Sequence, residues 1–186
     1  MAKPYNLRIQ AGTLKGRAIS SIPSHIRPTG QRTRETLFNW LTPYIQGAKC
    51  LDLFGGSGIL SFEALSRGAT SSLCLDQDIN TIKHIEQHAS LFHLDTLKAQ
   101  KHTLPNPLHN ETCFDIVFID PPFNLLSQDT ILTWLQDHIK THKDTLYYLE
   151  RPAKEPRHPH WISHREKKHS QVRFGLYHIN SDSEAS

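Results

Sequence analysis

Lys49-Cys-Leu-Asp-Leu-Phe-Gly-Gly-Ser-Gly58 decides the fold of this chain. Residues 49–54, with Cys50, Leu51, Leu53 and Phe54, read as a buried strand, the glycines behind them force a tight turn, and residues 57–67 carry a helix closed by Gly68. Strand, glycine turn and helix in that order open a nucleotide-binding α/β unit. Glycine turns the chain sharply and lets a ligand approach the backbone with no Cβ in the way. The dinucleotide pattern Gly-x-Gly-x-x-Gly is not met, because Ser61 stands at the third place after Gly58. By itself the turn also suits a corner that merely packs a helix against its strand.

The same alternation continues downstream. Strands are expected at 72–76, 114–119 and 145–149, with a weaker one at 95–100, and helices at 80–92 and 127–139, the second capped by Ser127. Strands alternating with helices make a parallel, doubly wound sheet of the α/β class. After a Pro/His-rich loop at 152–159, residues 161–165 and 171–179 predict a terminal antiparallel hairpin, and 181–186 a frayed tail. Upstream, residues 6–12 and 14–19 alternate apolar and polar on either side of Gly12, which predicts a short hairpin. From Gln31 the residues Leu37, Trp40, Leu41 and Tyr44 recur at three and four, an amphipathic helix that Pro43 should end. The expected organisation is an N-terminal hairpin and helix extension over 1–46, the main domain over 47–180 and the tail over 181–186.

At 186 residues the chain can bury about 70% of its unfolded surface and needs no covalent staples. With 37% apolar and 21% charged residues it is too apolar to be disordered, and it has no uninterrupted apolar run of membrane-spanning length. Lys3 and Arg8 break up an N-terminus without a secretory core, and the three cysteines, Cys50, Cys74 and Cys113, are odd in number and far apart, so a reducing cytoplasm is expected. The net charge of +3 conceals an asymmetry. Residues 1–49 hold eight Lys/Arg and one acid, residues 50–150 six and thirteen, and residues 151–186 seven and four. Basic ends around an acidic middle suggest a polyanion-binding region joined to a core that needs carboxylates for something else. Lys15, Arg17, Arg27, Arg32 and Arg34 are the candidate RNA-phosphate contacts.

Those carboxylates fall at strand ends. Asp76 ends the second strand 24 residues after Asp52, where it can accept hydrogen bonds from both ribose hydroxyls of a nucleoside. Asp78 reads better as a helix cap. Asp52, at the mouth of Phe54-Gly-Gly-Ser-Gly58, suits a cationic ligand group better than a pyrophosphate. A nucleoside carrying both a positive centre and an amine, S-adenosylmethionine, fits these positions, whereas NAD and ATP fit them badly. Asp120-Pro-Pro-Phe123 follows the fourth strand at the carboxyl edge of the sheet, where open α/β proteins bind ligands. An exocyclic amine on a nucleobase is a poor nucleophile because its lone pair is delocalised into the ring. Asp120 and the Pro121 carbonyl can accept its two N–H groups and aim the lone pair at a methyl sulfonium. Pro121 and Pro122 lock those acceptors, and Phe123 offers a face for the base to stack on. The bland alternative is a rigid turn that stops the strand.

Three segments carry a family resemblance: Arg27-Pro-Thr-Gly-Gln-Arg-Thr-Arg-Glu-Thr-Leu-Phe-Asn-Trp-Leu41, Cys50-Leu-Asp-Leu-Phe-Gly-Gly-Ser-Gly58 and Phe114-Asp-Ile-Val-Phe-Ile-Asp-Pro-Pro-Phe123. Together they resemble the RsmD family of bacterial 16S rRNA guanine-N2 methyltransferases, and the likeness extends over nearly the whole chain. The first segment is the most specific, because many amino-methyltransferases share the other two. The resemblance implies a Rossmann-like methyltransferase fold, with a seven-stranded, mostly parallel sheet ending in an antiparallel hairpin. It implies S-adenosylmethionine as cofactor and one guanine of 16S rRNA, in a small subunit or assembly intermediate, as substrate of a monomeric enzyme. The acceptor motif falls on Asp120, Pro121, Pro122 and Phe123. The donor motif falls on Phe54, Gly55, Gly56, Ser57 and Gly58, and the ribose acid on Asp76. The chain departs from the family at two places. Gly55 stands where alanine is usual, a change expected to be harmless, and no acid follows the third strand among Ala99-Gln-Lys-His-Thr103 to contact adenine.

Other features read as structural. His84 and His88 do not form a HExxH pair, and His138 and His142 are expected on one helix face without a third ligand, so no metal is expected. Phe38, Trp40 and Leu41 read as core, and Lys167 and Lys168 as a charged hairpin tip. Two other readings stand beside this one: a non-catalytic rRNA-binding assembly factor, against which the intact Asp120 and glycine turn argue, and an amino-methyltransferase acting on adenine N6 or a protein amide, a class that shares only the Pro-Pro motif and lacks the 27–41 segment.

Overall fold

The computed structural model describes residues 7–20, 28–122 and 125–180. The expectations placed on Asn6, Arg27, Phe123 and residues 181–186 lie outside these. In chain order the elements are β1 (Leu7–Arg8), β2 (Ala18–Ile19), α1 (Gln31–Leu41), β3 (Lys49–Asp52), α2 (Ile59–Ser66), β4 (Ser71–Asp76), α3 (Ile79–Leu91), β5 (Leu97–Lys101), β6 (Cys113–Ile119), α4 (Gln128–His138), β7 (Lys140–Pro152), β8 (Trp161–His169) and β9 (Val172–Ile179).

Seven strands form one sheet in the order β5-β4-β3-β6-β7-β9-β8. The first five run parallel, and β9 turns back antiparallel between β7 and β8. The chain starts at β3, steps outward to β4 and β5, and returns to β6 on the other side of β3. The strand order therefore reverses between β3 and β6, and ligands of open α/β sheets bind at the carboxyl ends beside such a reversal. One face carries α1, α2, α3 and the β1–β2 hairpin over Cys50, Cys74, Ile116, Phe118 and Tyr148. The other carries α4 over Leu51, Val117, Ile119, Tyr147 and Leu149. Both faces are buried, as the continuous apolar runs of these strands require.

The N-terminal hairpin is not a detached arm. Its Leu7, Ile9, Leu14 and Ile19 are buried in the same core as α2 and α3. At its tip the backbone lies directly on the end of α2: Thr13 N–H donates to Ser66 O (2.8 Å), and Leu14 N–H to Ser66 Oγ (2.9 Å). Gly12 has φ +82°, and a Cβ there would overlap the Ser66 carbonyl.

Several local expectations are corrected. The buried face of α1 is Arg34, Leu37, Phe38 and Leu41. Trp40 is half-buried against Phe174, and Tyr44, beyond the helix end, is exposed. β7 begins at Lys140, so His142 lies on a strand and not on a helix face with His138; its Nε2 meets Asp115 Oδ1 at 2.8 Å. The polar stretch 140–144 hid that strand, because only Lys140 and Thr141 pair there, with β6, before a bulge that carries the exposed residues 142–144. Ser127 does cap α4, accepting from Thr130 N–H (3.1 Å), and Asp78 caps α3, accepting from Asn80 N–H (3.0 Å).

Candidate active site

Asp52 and Asp120 stand at the carboxyl ends of the neighbouring strands β3 and β6, on either side of the reversal in strand order. Asp52 is buried. Ser61 Oγ donates to its Oδ2 (3.1 Å) and is itself bonded to Ser72 Oγ (3.0 Å). Its Oδ1 accepts no hydrogen bond of good geometry among the described residues, although the Phe54 amide lies near enough to favour the charged form. Burial raises the Asp52 pKa to about 7, with smaller contributions from the charges of Asp120 and Asp76. A buried carboxylate oxygen without a partner is costly unless a ligand donor completes it.

The glycine turn is built against β4. Gly55 N–H donates to Leu75 O (2.7 Å), and Gly58 N–H closes the turn on Gly55 O (2.7 Å). Asp76 is half-buried and holds two backbone amides, Gly56 N–H on Oδ2 (2.9 Å) and Asp78 N–H on Oδ1 (2.9 Å). A carboxylate has about four acceptor sites, so this arrangement fixes Asp76 without exhausting it. Glycine at 55 fits the space present, whereas the Cβ of the alanine usual in the family would lie 2.4 Å from Cys74 Sγ, in the fully buried core of this chain. Glycine at 55 and cysteine at 74 share one space. After β5 the chain continues with His102, whose N–H donates to Asp76 O (2.8 Å), and the segment holds no acid.

At the end of β6 Asp120 is half-buried, and Thr29 Oγ1 donates to its Oδ2 at 2.8 Å. Pro122 O accepts Leu125 N–H (3.1 Å), which closes the turn behind the two prolines. Thr29 is buried, and its carbonyl accepts from Arg34 Nη1 (2.7 Å). Arg34 in turn lies 3.9 Å from the fully buried Glu63, which also accepts from Arg67 Nε (3.1 Å) and from Gln10 N–H (2.8 Å). Arg34 is thus a buried strut and not an exposed phosphate contact, because a guanidinium inside the protein is kept only when paired.

Lys15, Arg17 and Arg32 are exposed. Arg32 lies in the first turn of α1, beside Thr29. Lys15 follows Leu14, whose amide bonds Ser66 at the end of α2, and Arg17 rests on Phe92 and Leu91 at the end of α3. A cavity of about 610 Å³ runs between hairpin and α1, from Lys15 and Gly16 past Arg8 and Arg67 to Thr29. Arg8, Arg67 and Thr29 were not singled out from the sequence. The only signal for Thr29 was its place in the segment 27–41, since a lone threonine in a polar loop carries no chemical pattern. Among the described residues no three His, Cys, Asp or Glu side chains converge on a metal-sized site, and no helix is long and apolar enough to cross a membrane.

The family described as Conserved hypothetical protein 95, the RsmD family, matches residues 7–178. The chain belongs to it. Among its relatives, Ribosomal RNA small subunit methyltransferase D of Escherichia coli strain K12 is 36% identical, over 96% of this chain and 93% of the relative. The protein of the same name from Haemophilus influenzae is 35% identical, over 92% and 93%. The solved structure titled "Putative methyltransferase yhhF from Escherichia coli" superposes with a TM-score of 0.84 at 33% identity, covering 96% of this chain and all of that one. A ribosomal protein L11 methylase from Lactobacillus delbrueckii, at 15% identity and a TM-score of 0.60, shares the fold. The architecture is therefore the Rossmann-like methyltransferase fold, and the chain is a member of a methyltransferase family.

Proposed function

We propose that this protein transfers a methyl group from S-adenosylmethionine to the exocyclic N2 amine of one guanine in 16S rRNA. The observation that carries the reading is the placement of two differently prepared carboxylates on neighbouring strand ends, Asp52 with an open oxygen and Asp120 held from behind by Thr29. Asp52 and the turn Phe54, Gly55, Gly56, Ser57 and Gly58 would hold the donor, Asp52 pairing with a cationic group and Asp76 accepting from the ribose. When bound, the cofactor supplies an electrophilic methyl on a sulfonium sulfur.

The chain's own residues do the rest. Thr29 fixes the Asp120 carboxylate so that an oxygen faces the incoming amine. Asp120 and the Pro121 carbonyl each accept one N–H, which orients the nitrogen lone pair. The charge that grows on nitrogen as its bond to carbon forms is stabilised by the same carboxylate, and the proton then released leaves through Asp120. Pro121 and Pro122 keep the acceptors from turning away, and Phe123 is assigned to stack on the base. Residues 1–46 are assigned to RNA binding, with Lys15, Arg17, Arg27 and Arg32 on phosphates, and residues 47–180 to methyl transfer.

The test is methyl mapping. Small subunits from cells lacking this protein, incubated with it and methyl-labelled S-adenosylmethionine, should incorporate one methyl per particle, recovered after digestion as N2-methylguanosine. Label on adenine, on protein or nowhere would overturn the assignment.

A further inference from the structure

A second basic cavity, of about 420 Å³, opens at the carboxyl edge of the sheet away from the N-terminal hairpin. It is lined by Arg151, Lys154, Glu155, Arg157, Glu166 and Arg173. Arg151 is on β7, two residues beyond the Leu149 that pairs with Ile119 of β6, and Arg173 faces it from β9. Asp120 follows Ile119 directly. At about 4.8 Å per strand spacing, Arg173 therefore lies about 10 Å sideways from the acceptor motif along the same edge.

The charges on its floor do not balance. Glu166 accepts from Arg151 Nη2 (3.0 Å), from Arg173 Nη1 (3.0 Å) and from the Tyr177 hydroxyl (2.7 Å). One carboxylate is shared by two guanidinium groups, one of them buried, and Arg151 Nε makes no hydrogen bond among the described residues. Lys154 and Arg157 are exposed on the rim. Four cations against Glu155 and Glu166 leave a surplus of positive charge in a concave site, which attracts an anion. The wall is tied to the start of α4, six residues beyond Pro122, because Gln128 donates to Glu155 Oε1 (2.6 Å) and Pro156 O (2.9 Å).

We propose that this cavity binds a backbone phosphate of the RNA beside the target nucleotide, and so sets the strand's register over Asp120. The inference rests on the RNA reading above. Arginine forks match phosphate geometry, and phosphate contacts position a nucleic acid without reading its sequence.

The test uses the full chain carrying Lys154→Ala and Arg157→Ala together, with a 16S rRNA fragment that the wild type methylates. Both side chains are exposed, so the thermal midpoint and donor affinity should stay at wild-type values. The slope of log affinity against log salt should fall by about 0.7 to 0.9 for the lost phosphate. KM for RNA should rise, with kcat at saturating RNA unchanged. If the wild type methylates RNA with salt-dependent affinity while the variant keeps its slope and KM, the cavity is off the RNA path and the substrate reading stands. If the wild type methylates no RNA fragment or subunit, both fall.

Discussion

Thr29 Oγ1 donates a hydrogen bond to Asp120 Oδ2 at 2.8 Å across ninety-one residues of sequence. The same threonine's carbonyl is held by Arg34, and Arg34 by Glu63 of α2, the helix that leaves the glycine turn. The end of β6 and α2 are thus joined through a chain of polar groups. Thr29→Val keeps the shape and removes the donor, leaving the Asp120 carboxylate less fixed. Single-turnover methyl transfer should slow by roughly ten- to a hundredfold, the scale of one hydrogen bond to a charged group. Donor affinity should hold, and Thr29→Ser should recover most of the rate. An unaffected Thr29→Val would show that the bond is incidental.

Gly55 and Cys74 should be coupled. Gly55→Ala drives a Cβ toward Cys74 Sγ, and overpacking of this kind costs about 1–3 kcal/mol. In a Cys74→Ala background the same change should cost less, the remainder being the tighter contacts with Leu75 O (3.2 Å) and Ile85 Cδ1 (3.3 Å), and denaturant unfolding should show a coupling energy on the order of 1 kcal/mol. Additive effects would mean that the turn relaxes by itself.

Asp52 sets a pH dependence. Its pKa in the fold is raised to about 7, whereas an unfolded aspartate ionises near 4. The folded state therefore holds a proton that the unfolded state has lost, and this contribution to stability, full at low pH, is lost as pH rises through about 7. Asp52→Asn should raise the thermal midpoint above neutral pH. The ionised carboxylate is the form that pairs with a cation, so donor affinity should tighten several-fold between about pH 6 and pH 7.5, and Asp52→Asn should be weaker and flat. Calorimetry over that range checks both.

The arginines of the N-terminal region should separate by burial. Arg34→Ala breaks a buried pair and should cost about 3 kcal/mol of stability. Arg32→Ala, exposed on α1, should leave stability within about 0.5 kcal/mol and weaken RNA binding with a shallower salt dependence. Equal stability losses would contradict the distinction.

The order of strands and helices was legible because buried parallel strands must be apolar throughout, so residues 49–54 and 114–119 stand out, and because Ser127 and Asp78 carry local capping chemistry. The polar start of β7 was not, since only Lys140 and Thr141 pair there, on one side, and an exposed bulge follows. At the site, Asp52, Asp76 and Asp120 were visible as acids at strand ends. Thr29 and the buried role of Arg34 were not, because both depend on contacts made across the fold. Nor was the Gly55–Cys74 pair, which is a fact about space and not about either residue type.

In the proposed reaction the carboxylates divide the labour: Asp120 serves the acceptor amine, and Asp76 serves the donor. Asp76 also holds the Gly56 amide, so Asp76→Ala should weaken S-adenosylmethionine binding by about 1–3 kcal/mol. The most direct measurement is calorimetric donor binding together with single-turnover transfer on Asp120→Ala. Donor affinity should stay within a few-fold of wild type, with no detectable methylation. Full methylation, or a loss of donor affinity as large as that of Asp76→Ala, would contradict that division.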